Sequence, residues 1–406
     1  MNILIPNATG PTNLGDHTML EVLLDLIEST KGKKKLMIHT KNPELYERKY
    51  ARIIAPSIYH YVALSKINLI VRTLRMIKIL MYSQIVKNRS RPFISKRSDT
   101  AVKIMNDYIQ ADVIIFAGGG YLRSQKGMRQ SLNLLLQLVP FIVAKSVKRK
   151  IIVAPNSFGP FAYHWQLKLT AKVLNDCDVV AVREEKSYTL MKSYGVKNLH
   201  LLNDLALLVK KTKPTNKKNK IIGFTIRNWL RSRVEQDKLE FSYAHALTRL
   251  SKRTGVTIQP IIQVASPDFP FEDDKEAVRR VYNRLRDGHV PVSVPIKLKS
   301  VKHAANVYGC LDLLLGMRMH SNILAATQGV PFVAVSYEHK THGITKQIGM
   351  EKYCISCEKI DGDVLYKLLM VVYRNRKRLR DQLITNVASI RSIGINEWQS
   401  LLSKTN

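Results

Sequence analysis

Cysteine is scarce in this sequence, and its arrangement does not suit a metal site. The 406 residues include four cysteines, and the one close pair, Cys354 and Cys357, has no second pair with which to form a tetrahedral zinc site. The pair does not follow a first strand, as a thioredoxin-like redox motif would. We therefore expect reduced thiols in a cytosolic protein and no metal site.

Long apolar segments are also missing. No run of about 18 residues is free of charges and helix-breaking residues, and the longest candidate, residues 132–143, is short and contains Pro140. The first ten residues, MNILIPNATG, lack the basic and apolar regions of a signal peptide. We therefore predict no transmembrane helix and no secretory leader, and expect a cytoplasmic protein.

Acidic residues are few relative to basic ones. Asp and Glu number 31 against 65 Lys and Arg, a net charge of +34 that indicates a polyanionic partner: nucleic acid, an anionic membrane or a lipid pyrophosphate. Nucleic acid is disfavoured, because no recognised reader motif is evident and the most basic stretch lacks interleaved aromatic residues. The hydrophobic fraction of 45% predicts a packed core.

Short apolar runs alternate with helical patterns along the chain, in two series separated by a polar segment. This alternation is typical of parallel sheets covered by helices. We therefore predict an α/β protein with two Rossmann-like domains facing across a cleft, a GT-B-like arrangement. Its parts are an N-terminal domain (1–209), a basic linker (210–220), a C-terminal domain (221–360) and C-terminal helices that pack back on the domains (361–406).

The segment at residues 316–343 concentrates basic side chains at the ends of predicted elements. Arg318 and His320 open a predicted helix, and His339 and Lys340 follow a predicted buried strand. In an open α/β sheet both positions face the ligand crevice, and a helix N-terminus favours an anion. We predict a site for a small, multiply charged anion, with histidine available for proton transfer. For any one of these residues alone, a solvated or capping role is the alternative.

Arg227 ends the first predicted strand of the second domain, in GFTIRNW. This position sets a second arginine opposite Arg318, so that two guanidinium groups converge on one anion, and a surface arginine is the alternative. An acidic loop further on, which includes Asp273 and Asp274, lacks the spacing of a calcium-binding loop. We interpret that loop as a solvated helix start.

Strand ends of the first domain carry glycines and small polar residues. Asn13 and Asp16 follow the first predicted strand, in NLGD, where Asp16 can cap a helix or contact a ligand. Gly118, Gly119 and Gly120 follow a later strand. Three glycines either let the backbone approach a ligand closely or form a bare turn.

Two further strand ends carry residues of opposite charge. Arg183 ends the strand predicted at residues 178–182, and Asp204 follows the strand predicted at residues 199–202. Both positions face the predicted cleft. A structural ion pair between the two loops is the alternative for either residue.

These motifs, in this order, resemble the signature of the polysaccharide pyruvyl transferase family. The C-terminal part of the pattern is Arg318-Met319-His320, then Gly329-Val330-Pro331 before a hydrophobic strand, then Lys340. The NLGD element, the three glycines, Arg183, Asp204 and Arg227 extend the match along most of the chain.

The resemblance implies an enzyme that transfers a pyruvyl group from phosphoenolpyruvate to a sugar as a ketal, with no cofactor or metal. The second domain would bind the donor and the first domain the acceptor. The donor-binding residues would be Arg227, Arg318, Met319, His320, His339 and Lys340, with His320 and Arg318 catalytic. The acceptor-binding residues would be Asn13, Asp16, Gly118, Gly119, Gly120, Arg183 and Asp204.

A basic amphipathic stretch at residues 67–91 suggests where the acceptor is met. Arg72, Arg75 and Lys78 recur at helical spacing among Leu, Ile and Met. Such a helix suits an anionic membrane surface, and an ordinary helix packed on the first domain is the alternative. We expect a peripheral protein at the cytoplasmic membrane face, acting on a polyprenyl-diphosphate-linked saccharide in capsule or exopolysaccharide biosynthesis.

Two other functions share parts of this pattern. A GT-B glycosyltransferase that uses a nucleotide sugar would have the same fold, but it would usually need an acidic or backbone site for the ribose where residues 316–343 offer mainly basic groups. A non-catalytic polyanion-binding protein would explain the net charge, but not the clustering of Arg and His at strand and helix ends. Saturable phosphate release from phosphoenolpyruvate would exclude it.

Overall fold

The protein forms two compact units, each built on its own parallel sheet. The structure, a computed structural model, describes residues 1–46, 53–64, 68–87, 99–213, 220–229, 232–265 and 273–403. Unit 1 comprises Met1–Pro11, Met19–Asp204 and Asn396–Asn406, and unit 2 comprises Thr12–Thr18 and Leu205–Ile395. The predicted α/β class with two Rossmann-like domains is confirmed.

Unit 1 alternates strands and helices, as the sequence pattern predicted. Its strands are β1 (Asn2–Ala8), β2 (Lys35–Thr40), β3 (Ile53–Pro56), β4 (Val113–Phe116), β5 (Lys150–Asn156), β6 (Val179–Val182) and β7 (Leu199–Leu201). Its helices are α1 (Leu14–Ser29, whose start belongs to unit 2), α2 (Leu69–Val86), α3 (Thr100–Gln110), α4 (Met128–Ser146), α5 (His164–Leu174) and α6 (Glu185–Ser193). The strands pair in parallel in the order β3-β2-β1-β4-β5-β6-β7.

Unit 2 repeats this architecture with six strands. They are β8 (Ile221–Thr225), β9 (Thr257–Ile262), β10 (Ile296–Lys297), β11 (Leu313–Gly316), β12 (Phe332–Ser336) and β13 (Cys354–Ser356). The helices are α7 (Arg233–Thr254), α8 (Lys275–Asp287), α9 (Val301–Gly309), α10 (Met319–Thr327), α11 (His339–Gln347), α12 (Gly362–Arg374) and α13 (Arg376–Ser403, whose end belongs to unit 1). The strands pair in parallel in the order β10-β9-β8-β11-β12-β13.

The central strands are buried along their whole length, which explains their uninterrupted apolar sequences. Strands β4 (VIIF) and β11 (LLLG) have every residue buried, as expected for parallel strands covered by helices on both faces. The apolar run at residues 132–143 lies in α4, where Phe141 stacks on Phe116 of β4 with ring centroids 3.6 Å apart. No helix in the described ranges is long and apolar enough to cross a membrane.

The N-terminal segment that contains the NLGD element belongs to unit 2 and not to the first unit, where we predicted it. The Ala265 amide donates to the Thr12 carbonyl at 3.0 Å, and Asn13 forms an antiparallel bridge with Val264. These backbone contacts place Thr12–Thr18 beside the carboxyl end of β9.

The other unit limits also differ from the predicted ones. The main division falls after Asp204 and not at residue 209, because Leu205–Leu208 packs with unit 2. Within the predicted linker, residues 214–219 lie outside the described part of the chain. The predicted C-terminal helices are α12 and α13, and Asn396–Asn406 belongs to unit 1.

Candidate active site

The carboxyl ends of β8 and β11 form the centre of the candidate site in unit 2. The strand order reverses between these neighbours, and open α/β sheets bind ligands at such a reversal. Their register pairs Thr225 with Gly316, and the Met317 amide donates to the Thr225 carbonyl at 3.1 Å. Arg227 and Arg318 each follow that pair by two residues, so the two arginines leave adjacent strands at equivalent positions.

A tight turn between β11 and α10 sets the direction in which Arg318 leaves the sheet. A Cβ atom at Gly316 would overlap the side-chain amide of Asn322, which donates to the Gly316 carbonyl at 3.1 Å. Ser321 Oγ donates to the Arg318 carbonyl at 2.6 Å and lies 2.8 Å from Thr225 Oγ1. These contacts fasten the start of α10 to the ends of both strands.

Asp274 holds the Arg318 guanidinium in place. Arg318 Nε and Nη2 donate to Asp274 Oδ1 at 2.9 and 2.6 Å, and the Val264 amide donates to Oδ2 at 2.9 Å. Asp274 is 0% exposed. Its burial raises the pKa of the carboxyl group, and the positive charges of Arg318 and Arg227 oppose that rise. The pair orients Arg318 and neutralises part of its charge.

The interpretation of the acidic loop as a solvated helix start was wrong for Asp274. The residue precedes α8, but its side chain makes no capping bond to that helix and is turned into unit 2. An acid before a helix normally indicates a cap, so the local pattern carried no signal for this second role. Only the fold brings the residue to Arg318, across 44 positions of sequence.

Tyr337 lies close to the positively charged side chains of the site. The Arg227 guanidinium lies over that ring, with Cζ 4.7 Å from its centroid. Burial raises the pKa of the Tyr337 hydroxyl, but the charges of Arg227, Lys340 and Arg318 outweigh burial and leave that pKa below its ordinary value. The sequence pattern indicated this tyrosine only as the end of a strand, and its role was missed.

Lys340 forms an ion pair with its neighbour Glu338, with 2.6 Å between Nζ and Oε2. Both residues lie at the start of α11, just beyond β12, as the sequence predicted for Lys340. The side chain of His339 lies outside the described part of the structure. Met319 is a buried core residue at 4% exposure, so its side chain does not line the site.

The NLGD element lies directly against His320. A Cβ atom at Gly15 would overlap the His320 imidazole, so only glycine allows this approach. The Gly15 amide donates to Asn13 Oδ1 at 3.2 Å, and Asn13 Nδ2 donates to Asp16 Oδ2 at 2.9 Å. Asn13 and Asp16, predicted as acceptor residues of the first domain, therefore lie beside the helix that carries the predicted acid–base.

The three glycines after β4 let two strand-end loops of unit 1 approach each other. A Cβ atom at Gly118 would lie 2.9 Å from the Pro155 carbonyl oxygen, and the Ser157 amide donates to the Gly119 carbonyl at 2.9 Å. Gly118 and Gly119 are buried, and Gly120 is partly exposed. The glycines therefore let the loop after β4 lie close to the backbone at the end of β5. A contact between these glycines and the acceptor stays a prediction.

Arg183 and Asp204 form an ion pair inside unit 1. Arg183 Nη1 lies 2.7 Å from Asp204 Oδ2, and Arg183 Nε donates to Ser157 Oγ at 2.8 Å. The two residues are 1% and 0% exposed. The structure therefore shows the ion pair that was the alternative interpretation, and a direct role of either residue in acceptor binding stays a prediction.

Unit 2 thus brings together most of the predicted donor residues and two predicted acceptor residues. Two arginines, a lysine, an imidazole and a phenol lie among two acids at one edge of the sheet. Such a set can bind a small dianion through guanidinium groups and can transfer protons beside it. Within the described ranges, no group of three or more His, Cys, Asp or Glu side chains is placed to hold a metal ion.

The sequence matches the family model described as polysaccharide pyruvyl transferase over residues 13–339, which is more than half of the chain. This protein belongs to that family. The matched region begins at Asn13 of the NLGD element and includes Arg227, Asp274, Arg318 and His320. The resemblance expected from the motifs is confirmed, and the protein is a transferase.

A curated relative places the family member in polysaccharide biosynthesis. The chain is 23% identical over 304 residues to the amylovoran biosynthesis protein AmsJ of Erwinia amylovora, covering 70% of this chain and 71% of that protein. Together with the family match, this relative indicates a role in exopolysaccharide biosynthesis.

Solved structures share the fold at low sequence identity. HepE of Anabaena, solved with UDP-glucose, has a TM-score of 0.59 at 10% identity, with 100% of this chain and 99% of that chain covered. A putative UDP-N-acetylglucosamine 2-epimerase from Listeria monocytogenes has a TM-score of 0.60 at 11% identity, with coverages of 95% and 90%. These likenesses show a GT-B-like fold.

Removing the carboxylate of Asp204 will destabilise unit 1 strongly. Asp204→Ala leaves Arg183 buried without its counter-charge, so the free energy of unfolding should fall by about 3–5 kcal/mol. Denaturant unfolding followed by fluorescence measures the change. The control, Asp176→Ala, removes the partner of the exposed Lys145 and should cost about 0–1 kcal/mol. Equal losses in the two variants would contradict a structural role for the buried pair.

The phenol of Tyr337 should ionise at a lower pH than an ordinary tyrosine. The difference between the ultraviolet pH titrations of the wild type and Tyr337→Phe isolates this group, and its midpoint should lie below about 10. Arg227→Gln removes the stacked charge and should raise the midpoint, while Arg279→Gln on the exposed face of α8 should leave it unchanged. A wild-type midpoint above the ordinary value would mean that burial dominates.

Proposed function

We propose that this protein transfers a pyruvyl group from phosphoenolpyruvate to two hydroxyl groups of a sugar, forming a ketal and releasing phosphate. The observation that carries the proposal is the pair Arg227 and Arg318, which leave adjacent strands at equivalent positions with His320 two residues further on. Phosphoenolpyruvate carries a carboxylate and a phosphate of about −1.5 to −2 charge, so its binding calls for several cations at short range.

The two arginines have different roles in this proposal. Within the described ranges no carboxylate forms an ion pair with Arg227, so its charge is available to a ligand while Tyr337 supports its flat face. Arg318 is already oriented by Asp274, which suits a group that must stay fixed while the substrate changes shape. We assign the phosphate or carboxylate of the donor to these two guanidinium groups.

His320 is the proposed acid–base. A proton is added to the methylene carbon, C2 gains oxocarbenium character, and a first sugar hydroxyl adds to C2. A second hydroxyl then closes the ring as the bond from C2 to the phosphate oxygen breaks. The two hydroxyl protons end on the methyl carbon and on the phosphate, so the reaction balances. Tyr337, with its lowered pKa, is our candidate for the second proton transfer, and the scheme uses no metal or organic cofactor.

We propose a surface-polysaccharide precursor as the acceptor, carried on polyprenyl diphosphate at the cytoplasmic face of the membrane. The relative described as an amylovoran biosynthesis protein supports a polysaccharide acceptor. The net charge of +34 supports a substrate that bears a pyrophosphate.

Replacing the imidazole of His320 should abolish most of the activity. His320→Asn should lower acceptor-dependent phosphate release from phosphoenolpyruvate by about 100- to 10,000-fold, the usual contribution of a general acid or base. The matched control is His289→Asn, at an exposed position with φ of 53°, a left-handed conformation that Asn tolerates. The control should retain wild-type activity.

Two results would contradict this function. If His320→Asn keeps wild-type rates, the imidazole does not take part in proton transfer. The second result has two parts: no saccharide in a panel of lipid-linked acceptors elicits phosphate release, and a nucleotide sugar binds to the wild type but not to a variant that lacks Arg227. In that case the glycosyltransferase alternative replaces pyruvyl transfer.

The acceptor proposal has its own test. Rates of phosphate release with a polyprenyl-diphosphate-linked saccharide should exceed those with the same saccharide free of lipid, because the basic protein gains binding energy from the pyrophosphate. Raising the salt concentration should narrow the difference, since it screens exposed charges. Equal rates at low salt would show that the protein does not recognise the lipid carrier.

A further inference from the structure

Helix α2 carries a stripe of large apolar side chains that point away from unit 1. The members of this stripe are Ile70, Leu74, Ile77, Met81 and Ile85. They follow one another at intervals of three or four residues, so they lie on one face of the helix. Ile70 and Met81 are 69% and 60% exposed, and the other members exceed 40%. Exposed apolar residues scattered singly are normal, but a continuous stripe marks an interaction surface.

The stripe is not the face by which α2 joins its own unit. Ile79, Ser83 and Val86 are buried on the opposite face, where α2 packs on the core of unit 1 together with α3 and α4. The helix is therefore anchored by one apolar face and offers a second one. An ordinary helix of an α/β domain has a single apolar face and a polar outer face.

Two of the three basic residues within α2, Arg75 and Lys78, are engaged within the protein. Arg75 Nη1 donates to the Tyr61 carbonyl at 2.8 Å, and its guanidinium lies over the Tyr61 ring. Lys78 Nζ lies 2.5 Å from Asp99 Oδ2. These two cations, which the sequence hypothesis set at the membrane, are turned to unit 1. The apolar stripe is a separate exposed face of α2 that these contacts do not occupy.

Every charged residue in the sequence around the stripe is basic. Residues 48–98 contain twelve Lys or Arg and no Asp or Glu. The basic residues are Arg48, Lys49, Arg52, Lys66, Arg72, Arg75, Lys78, Lys87, Arg89, Arg91, Lys96 and Arg97. A second copy of the chain would bring the same charges face to face, which disfavours self-association through the stripe. A partner that suits this helix must offer an apolar interior to the stripe and negative charge to the basic residues. A bilayer with anionic lipids offers both.

We propose that the α2 stripe inserts into the interfacial region of an anionic bilayer, with the helix lying in the membrane plane. The helix does not cross the membrane, because it carries too many charges and is too short in apolar length. This inference concerns where the protein sits and is independent of the reaction proposed for unit 2.

The test compares binding of the full-length protein to vesicles of phosphatidylcholine alone and with added phosphatidylglycerol. The wild type should co-sediment with the mixed vesicles and bind phosphatidylcholine much less. The triple variant Ile70→Gln, Leu74→Gln, Met81→Gln should bind the mixed vesicles at least about a hundredfold more weakly, from the apolar area it no longer buries. The matched control Val234→Gln, Phe241→Gln, Ile393→Gln changes equally exposed apolar residues of unit 2 and should bind as the wild type.

Three readouts decide the outcome. Equal binding by the triple variant and the wild type would overturn the proposal, because charge alone would then hold the protein on the vesicles. A wild type that binds no vesicles, but forms a dimer that the triple variant loses, would assign the stripe to a second copy. Unchanged circular dichroism and an unchanged thermal unfolding midpoint would show that the variant is folded and that its loss is confined to the membrane surface.

Discussion

The candidate site depends on a buried carboxylate. Asp274 lies within unit 2, fully removed from solvent, and accepts two hydrogen bonds from Arg318 and one from the backbone. A buried charge is costly unless its partner is close and its remaining oxygen is satisfied, and both conditions hold here. In return Arg318 has one orientation, at the point where the strand order reverses. The position of His320 follows, because the short helix α10 begins directly after Arg318 and carries the imidazole in its first turn.

Unit 1 also contains a buried ion pair between an arginine and an aspartate, but this pair has a different role. Arg183 and Asp204 pair at the ends of β6 and β7, but nearly all of both side chains is buried. Arg318, at 11% side-chain exposure, keeps an edge at the surface of unit 2, and Arg227 beside it is also partly exposed. A buried pair of opposite charges stabilises the junction of two loops, whereas a pair whose cation reaches the surface can also orient a ligand. The distinction is one of burial, which strand-end position alone does not specify.

The sequence predicted the fold well because its signals are local. Uninterrupted apolar strands such as β4 and β11 and the small residues at their ends indicate parallel sheets without knowledge of any contact. Arg227 and Arg318 could be paired from the same logic, since both end strands of one sheet. Asp274 and Tyr337 could not, because Asp274 acts across 44 positions of sequence and the lowered pKa of Tyr337 depends partly on Arg227 and Arg318, which follow two other strands. The NLGD element was assigned to the wrong side for a similar reason: its place is fixed by backbone bonds to residues 264–265.

The ion pairs of the candidate site also bear on where the net positive charge of the protein lies. Two cations of the candidate site, Arg318 and Lys340, are each paired with an acid, so the site itself accounts for little of the +34. Residues 48–98 contribute twelve of the 34 excess positive charges with no acid among them, and this stretch of sequence includes helix α2, whose outer face is apolar. Charge placed at the substrate site would act on any small dissolved anion, and salt would screen it. In the proposed membrane contact, basic residues that neighbour the stripe in sequence add an electrostatic attraction to the burial of apolar side chains, and the two contributions together would distinguish a charged bilayer from a small dissolved anion.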